Sequence, residues 1–169
     1  MLTNTTIVIK DACILFDLID LELYDDFYAL ELTAITTSLV VSEIISENQS
    51  SIVHSSISSK KLIVISDGDL SVIQSIQNDN PGLSLADSSI LELAPRYPGI
   101  ILSSDKSLWN EAKRRNLTVK GVLWVVNQLY EKGVLSKAAC LAKLELYPKI
   151  NRRAPIRDIQ MLIDKVNES

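Results

Sequence analysis

Short apolar runs alternate with longer amphipathic stretches along most of this chain. Five short runs predict buried strands at residues 7–9, 34–37, 62–65, 99–102 and 117–119. Apolar residues at helical spacing predict helices at residues 12–21, 27–32, 38–47, 70–77, 85–94, 106–115, 122–132, 137–146 and 155–166. Residues 50–59 are rich in serine and are compatible with a helix or with irregular structure. This alternation predicts an α/β fold with a central parallel sheet covered by helices on both faces.

Two aspartates lie at or just beyond the ends of predicted strands. Asp11 comes after the first strand, in IVIKDACILFDLI, and Asp105 follows the strand at residues 99–102 after two serines, in GIILSSDKSLW. Ligands of open α/β sheets bind beyond the carboxyl ends of the strands. We therefore expect Asp11 and Asp105 to lie at the same edge of the sheet.

Two further acids sit among apolar residues. Asp87, in LSLADSSILELA, precedes Ile90 and Leu91 at helical spacing and so shares their predicted buried face. Glu43, in SLVVSEII, is flanked by valines and isoleucines. A buried carboxylate is costly unless something pairs with it, so these positions also point to a shared site.

Each acid also has an ordinary structural explanation. Asp11 and Asp105 are well placed to cap the helices that follow them. Asp87 lies three residues after Ser84, as in a capping box. Glu43 would be unremarkable at the exposed edge of a helix. The pattern leaves both explanations open for each residue, and the shared sheet edge favours a common site.

Composition narrows the classes of protein and ligand. The chain has 169 residues, 47% of them hydrophobic, which suits one domain with a substantial core. No leader segment or membrane-spanning run is expected, and two distant cysteines, Cys13 and Cys140, fit a reducing cytoplasm. The net charge is −4, so binding of nucleic acid would need a local basic patch or a bound cation.

The residue types restrict the metals that such a site would take. The chain has no Cys/His ligand pattern, and its single histidine, His54, lies in the serine-rich stretch. Four converging carboxylates would repel one another unless protonated or neutralised by a cation. Ligation by oxygen alone favours Mg²⁺ or Mn²⁺.

The four segments that carry these acids resemble PIN-domain proteins, the fold of VapC-like toxin ribonucleases. They are IVIKDACILFDL, TTSLVVSEII, LSLADSSILELA and GIILSSDKSLW, and KGVLWVVNQLYEKGVLS resembles one branch of bacterial and archaeal members. The resemblance implies a three-layer α/β/α sandwich in a nuclease domain over residues 1–135. It is less clear beyond residue 136, where we expect a helical extension, residues 136–169, packed on the same domain. Residues 147–155 are expected to form a surface connection.

The resemblance also implies a Mg²⁺- or Mn²⁺-dependent ribonuclease that hydrolyses RNA phosphodiester bonds with metal-activated water. By position, Asp11, Glu43, Asp87 and Asp105 become the metal-binding catalytic acids. Ser103, two residues before the last acid, becomes a hydrogen-bonding neighbour of the site. Cys13 stands two residues after the first acid, where the family often has asparagine or serine.

Partners follow from the same resemblance. Many such toxins are homodimers and are silenced by an antitoxin protein, so both are expected here besides an RNA substrate. Two basic groups are candidates for phosphate binding or for plain solvated helix faces. They are Lys106, Lys113, Arg114 and Arg115 in one group, and Arg152, Arg153 and Arg157 in the other.

Two other functions compete with a ribonuclease. A PIN fold with weak or no catalysis would bind RNA or a protein partner, and Cys13 and the acidic pI near 5.0 are compatible with it. A phosphoacceptor receiver domain also has an acid after its first strand. It usually has adjacent acids there, whereas Lys10 precedes Asp11, and it leaves Glu43 and Asp87 unexplained.

Overall fold

A central sheet of five parallel strands organises the protein. The computed structural model describes residues 7–169, with side chains from residue 11 onward. The strands are β1 (Ile7–Lys10), β2 (Thr33–Thr37), β3 (Leu62–Ile65), β4 (Gly99–Leu102) and β5 (Val119–Lys120). They form one sheet in the order β3-β2-β1-β4-β5, with β1 at its centre. The predicted α/β class with a parallel sheet is confirmed.

The register aligns the carboxyl ends of β1 and β4. Ile9 pairs with Ile35 of β2 on one side and with Ile101 of β4 on the other. At the end of β1, the amide of Asp11 donates a hydrogen bond of 3.3 Å to the Leu102 carbonyl. The residues that follow β1 and β4 therefore begin side by side, as predicted from the strand pattern.

Ten helices fill the connections in the described part of the chain. They are α1 (Ala12–Asp20), α2 (Tyr24–Phe27), α3 (Ser38–Ser42), α4 (Glu47–Ser58), α5 (Leu70–Asp79), α6 (Leu85–Leu93), α7 (Lys106–Arg114), α8 (Val122–Glu131), α9 (Lys137–Ile150) and α10 (Ile156–Glu168). Short 3₁₀ turns follow α2 (Tyr28–Leu30) and α6 (Ala94–Arg96). Helix α3 contacts α6, which also contacts α5, whereas α8 contacts α1, α2, α9 and α10. These two groups of helices are what an α/β/α arrangement requires.

The helix at residues 38–47 was predicted too long. Helix α3 ends at Ser42, with Glu43 as its C-cap, and α4 begins only at Glu47. Ile45, between the two helices, is 89% exposed, so the apolar spacing there does not mark a buried helical face. The serine-rich stretch, which the sequence left open, is helical in α4.

The core draws on helix faces that the apolar spacing identifies. In α1, Ile14, Leu15 and Leu18 are fully buried, and α8 buries Val125 and Leu129 in the same cluster. Burial of each such side chain contributes about 1.5–3 kcal/mol to folding. The core thus fixes α1 directly behind the end of β1, where Asp11 starts the helix.

The C-terminal helices pack on this core. Helices α9 and α10 contact each other and α8. Helix α9 continues to Ile150, and Tyr147 is only 4% exposed. The surface connection predicted for residues 147–155 is therefore wrong for its first half, and only residues 151–155 lie between the two helices.

A helix that spans a membrane must be both long and apolar. Within residues 7–169, none of the helices combines the length and apolar character needed to cross a bilayer.

Candidate active site

Asp11 is buried at the joint between β1 and α1. It is 1% exposed and is the N-cap of α1, where its Oδ1 accepts a 2.8 Å hydrogen bond from the Ile14 amide. Its other oxygen, Oδ2, accepts a short hydrogen bond from the hydroxyl of Ser103. The strand end places this carboxylate, and the cap and the serine hold its orientation.

Ser103 links Asp11 to Asp105. Its side chain is fully buried just after β4, and its Oγ also accepts a 3.0 Å hydrogen bond from the Asp105 amide. Asp105 is the N-cap of α7, with Oδ1 accepting from the Leu108 amide at 2.8 Å. Because the serine contacts both residues, it fixes the loop after β4 against the end of β1. Ser103, which the resemblance implied as a hydrogen-bonding neighbour of the site, thus contacts Asp11 and Asp105 in the structure.

Ser84 contacts Asp87 and lies near Glu43. Ser84 and Asp87 form a capping box at the start of α6: the Asp87 amide donates to Ser84 Oγ, and the Ser84 amide donates to Asp87 Oδ2, both at 3.0 Å. Glu43 is solvent-exposed at the end of α3, contrary to the apolar setting expected for it. The charge of Asp87 and an interaction with Ser84 both influence the pKa of Glu43, so Glu43 lies near the same corner.

The capping explanation holds for Asp11, Asp87 and Asp105. Each cap occupies only part of the acceptor capacity of a carboxylate, which has about four lone-pair sites. No hydrogen bond within the described residues engages Asp105 Oδ2 or Asp87 Oδ1. The caps therefore orient these carboxylates and leave oxygens available for a ligand.

The charges of the acids act on one another. Burial raises the pKa of Asp11 to about 7, against hydrogen bonds from Ser103 and Ile14 that lower it, and the charges of Asp87 and Asp105 add to the increase. Burial also raises the pKa of Asp87, with a further contribution from Asp105. For Glu43, partial desolvation of its exposed side chain and then the charge of Asp87 raise the pKa, against an interaction with Ser84 that lowers it. These carboxylates thus form one electrostatic group.

This acid group fits a hydrated, oxygen-preferring cation. Within the described part of the chain, no lysine or arginine forms an ion pair with any of the four acids. No three acidic, histidine or cysteine side chains there lie close enough to enclose an ion by themselves. Mg²⁺ does not require that, because it usually keeps several waters and binds through one or two carboxylates. The donor chemistry and the uncompensated negative charge both suit such an ion.

Cys13 lies on the rim of this group. It is exposed and has no disulfide partner. Partial desolvation and then the charges of Asp11, Asp105 and Asp87 raise the pKa of its thiol to about 12. The thiol therefore stays protonated at neutral pH and adds no negative charge to the acids.

Asp17 is a residue that the sequence interpretation missed. It is buried in α1 and accepts hydrogen bonds of 3.3 Å from the Tyr147 hydroxyl and from Asn151 Nδ2. Burial raises the pKa of Asp17, against interactions with Ser104, Asn151 and Tyr147 that lower it. Asp17 follows Ile14 by three residues in an apolar helix, which is the same signal that singled out Asp87. Its hydrogen bonds join α1 to Tyr147 and Asn151 in the C-terminal part of the chain.

The two groups of basic residues identified in the sequence differ in their surroundings. Arg114 and Arg115 both form salt bridges with Glu111, at 2.6 and 2.8 Å. Lys106, Lys113 and Arg153 instead line a groove that begins at Ser103 and Asp105, with Lys120 as a further cation. Arg152 and Arg157 are exposed outside that groove.

Substitution of Ser103 by alanine is expected to weaken both the fold and the site. It removes the only side-chain hydrogen bond donated to Asp11 within the described residues and leaves the Asp105 amide without its acceptor. Loss of such buried bonds costs about 1–3 kcal/mol. Urea unfolding of Ser103→Ala, beside the exposed Ser107→Ala on the same loop-helix junction, measures this difference. Equal stability of the two variants would contradict the bridging role.

Comparison with known proteins supports the fold and identifies the family. The crystal structure of PAE2754 from Pyrobaculum aerophilum superposes with a TM-score of 0.53 at 18% identity, covering 73% of this chain and 90% of that chain. No curated protein matches the sequence significantly. The model of the family DUF3368, described as a PIN domain, matches residues 7–168. The chain therefore belongs to the PIN-domain family, whose members are generally nucleases.

Proposed function

We propose that this protein is a divalent-metal-dependent endoribonuclease that hydrolyses RNA phosphodiester bonds. The observation that carries the proposal is the acid group at the carboxyl ends of β1 and β4. Asp11, Asp87 and Asp105 act on one another electrostatically and have no basic partner within the described residues. Membership of a family of nucleases that generally use divalent ions supports this proposal.

The proposed ligands of Mg²⁺ or Mn²⁺ are Asp11, Asp87, Asp105 and, at the edge, Glu43. A bound ion of this kind lowers the pKa of a coordinated water and neutralises charge on the phosphate. Ser103 holds the Asp11 carboxylate toward the acid group, and the capping bonds hold those of Asp105 and Asp87. The orientation is set before a ligand arrives, which limits the reorganisation needed on binding.

A cleavage assay tests this function directly. Purified protein is incubated with a mixed panel of single-stranded and structured RNAs in the presence of Mn²⁺, Mg²⁺ or EDTA. We expect cleavage that requires the divalent ion and leaves DNA of the same sequences intact. Cleavage that persists in EDTA would contradict a metal-dependent enzyme and would point to a contaminating nuclease.

The second candidate is a PIN-fold module that binds RNA or protein without cutting. The observation that favours it is the Glu43 side chain, which is exposed rather than enclosed with the other acids. RNA binding with no cleavage of any RNA in the panel, at any metal tested, would select this alternative.

Partners and cellular role extend the proposal. We propose the toxin of a toxin–antitoxin pair, acting in the cytoplasm as a homodimer and silenced by an antitoxin. Exposed apolar side chains support contact with another protein, among them Ile45 at 89% and Leu70 at 67% exposure. Light scattering that gives the mass of a single chain, 18.8 kDa, would contradict the homodimer.

We also propose residues 1–135 as the nuclease unit and residues 136–169 as its extension.

A further inference from the structure

A groove of about 580 Å³ runs from the acid group toward the C-terminal helices. Ser103 and Asp105 stand at one end, and Arg153 and Asp158 are among the residues contributed by the C-terminal part of the chain. Its size is within the range of small-molecule and cofactor sites. The groove is therefore large enough for a nucleotide and is continuous with the proposed catalytic acids.

Aromatic side chains line this groove. Both tryptophans of the protein, Trp109 and Trp124, are half-buried in its walls. Gly121 packs beside one of them, since a Cβ there would lie in ordinary van der Waals contact, 3.4 Å from Cζ3 of Trp109 and 3.5 Å from the Ser103 carbonyl. Tryptophan in a positively charged groove is a typical platform for unpaired bases, because every base has a face that stacks.

The groove is basic although the protein is acidic. It holds four cations, Lys106, Lys113, Lys120 and Arg153, against the carboxylates of Asp105 and Asp158. None of these four cations forms a salt bridge to another described residue. The Lys113 ammonium lies 5.6 Å from the centre of the Trp109 ring. Positive charge beside aromatic rings is thus concentrated here in a chain of net charge −4.

Hydrogen bonds hold the far wall in place. The Arg153 amide donates to Asn151 Oδ1 at 2.9 Å, and Asn151 Nδ2 in turn donates to Asp17. Asp17 belongs to α1, the helix that begins in the acid group at Asp11. The wall with Arg153 is therefore anchored through Asn151 to α1, and these hydrogen bonds hold it without a ligand.

We propose that this groove binds a nucleobase of single-stranded RNA adjacent to the phosphate that is cut. The base stacks on Trp109 or Trp124, and Lys113, Lys120 and Arg153 neutralise the flanking phosphates. This inference rests on the proposed ribonuclease function. The unpaired cations and the continuity with Asp105 favour an RNA strand over a segment of a partner protein, because a phosphate chain supplies the charge that the groove lacks.

Tryptophan fluorescence reports on this groove directly, since both tryptophans of the chain line it. The protein is titrated in EDTA, to prevent cleavage, with a ten-nucleotide single-stranded oligouridine and with a duplex of equal length. We expect saturable quenching by the single strand and much weaker quenching by the duplex. Trp124→Leu is expected to weaken binding about 5- to 100-fold, and Trp124→Phe to restore most of it.

A charge variant keeps the test valid if the tryptophan variants fail to fold. Arg153→Ala removes a cation from the groove, and Arg157→Ala removes one from the exposed face of α10 outside it. Weaker oligouridine binding by Arg153→Ala than by Arg157→Ala supports the proposal. Equal binding by the two variants overturns it.

The outcomes separate the groove from the nuclease. RNA that is cut with Mn²⁺ but does not quench the tryptophans in EDTA would overturn the base-binding groove, leaving the nuclease intact and the groove to a protein partner. Quenching without cleavage under any metal would support base binding in the groove and overturn the ribonuclease. Absence of both quenching and cleavage would overturn both proposals.

Discussion

Asp105→Asn is expected to abolish RNA cleavage and leave the fold unchanged. Asparagine is as good an N-cap as aspartate, so the hydrogen bond to the Leu108 amide and the start of α7 persist. The variant loses one negative charge from the acid group, which weakens the hold on a divalent ion. Loss of several kcal/mol of transition-state stabilisation by the ion makes the reaction at least about 100-fold slower. Initial rates on one RNA substrate measure this effect.

Asp69→Asn is the matched control for this variant. Asp69 is also an aspartate N-cap, at the start of α5, where it accepts from the Ser71 and Val72 amides. It receives the same chemical change, and none of the four proposed ligands contributes to its pKa. Its cleavage rate should equal that of the wild type. A similar loss of rate in both variants, or none in Asp105→Asn, would contradict the assignment of Asp105.

Asp11→Asn is expected to stabilise the metal-free protein at alkaline pH. Burial raises the pKa of Asp11 from 3.8 to about 7, so the folded state favours the neutral acid. The stability that comes from this neutral form is present below about pH 4 and is lost as the pH rises to about 7. Three pKa units correspond to at most about 4 kcal/mol. Asparagine is neutral throughout and retains a cap, so the variant avoids this loss and has no catalytic carboxylate.

Urea unfolding in EDTA at pH 5 and pH 8 measures the effect as a difference between Asp11→Asn and the wild type. The free energy of unfolding of Asp11→Asn, relative to that of the wild type, should be larger at pH 8 than at pH 5. Added Mn²⁺ should then stabilise the wild type and not Asp11→Asn. Asp69→Asn again serves as the control, because hydrogen bonds from Ser71 and Val72 lower the pKa of Asp69 and it stays ionised over this range. A difference for Asp11→Asn that does not change with pH would show that Asp11 is ionised in the folded metal-free protein.

Local patterns in the sequence were sufficient to predict a parallel sheet and part of the candidate site. Parallel strands end at one edge, so Asp11 and Asp105 are necessarily close once β1 and β4 are adjacent. Ser103 was indicated by the resemblance to the family alone, and in the structure it contacts both Asp11 and Asp105. The charge interaction of Asp87 with these acids depends on how α6 packs, and spacing only suggested it.

Long-range packing accounts for what the sequence did not reveal. Glu43 has apolar neighbours in sequence, but α3 ends beside it and leaves its side chain in solvent. Asp17 meets Tyr147 and Asn151 across about 130 residues of sequence, a contact that no local period encodes. The groove brings together Trp109, Trp124 and Arg153 from separate helices and loops for the same reason.

Calorimetric titration with Mn²⁺ tests the central claim most directly, because it does not depend on finding the right RNA. The account predicts heat of binding at a defined site in the wild type and in Asp69→Asn, and its loss or strong weakening in Asp105→Asn. Binding that is the same in all three folded proteins would contradict the proposed acid site. So would the absence of any binding by a folded wild type.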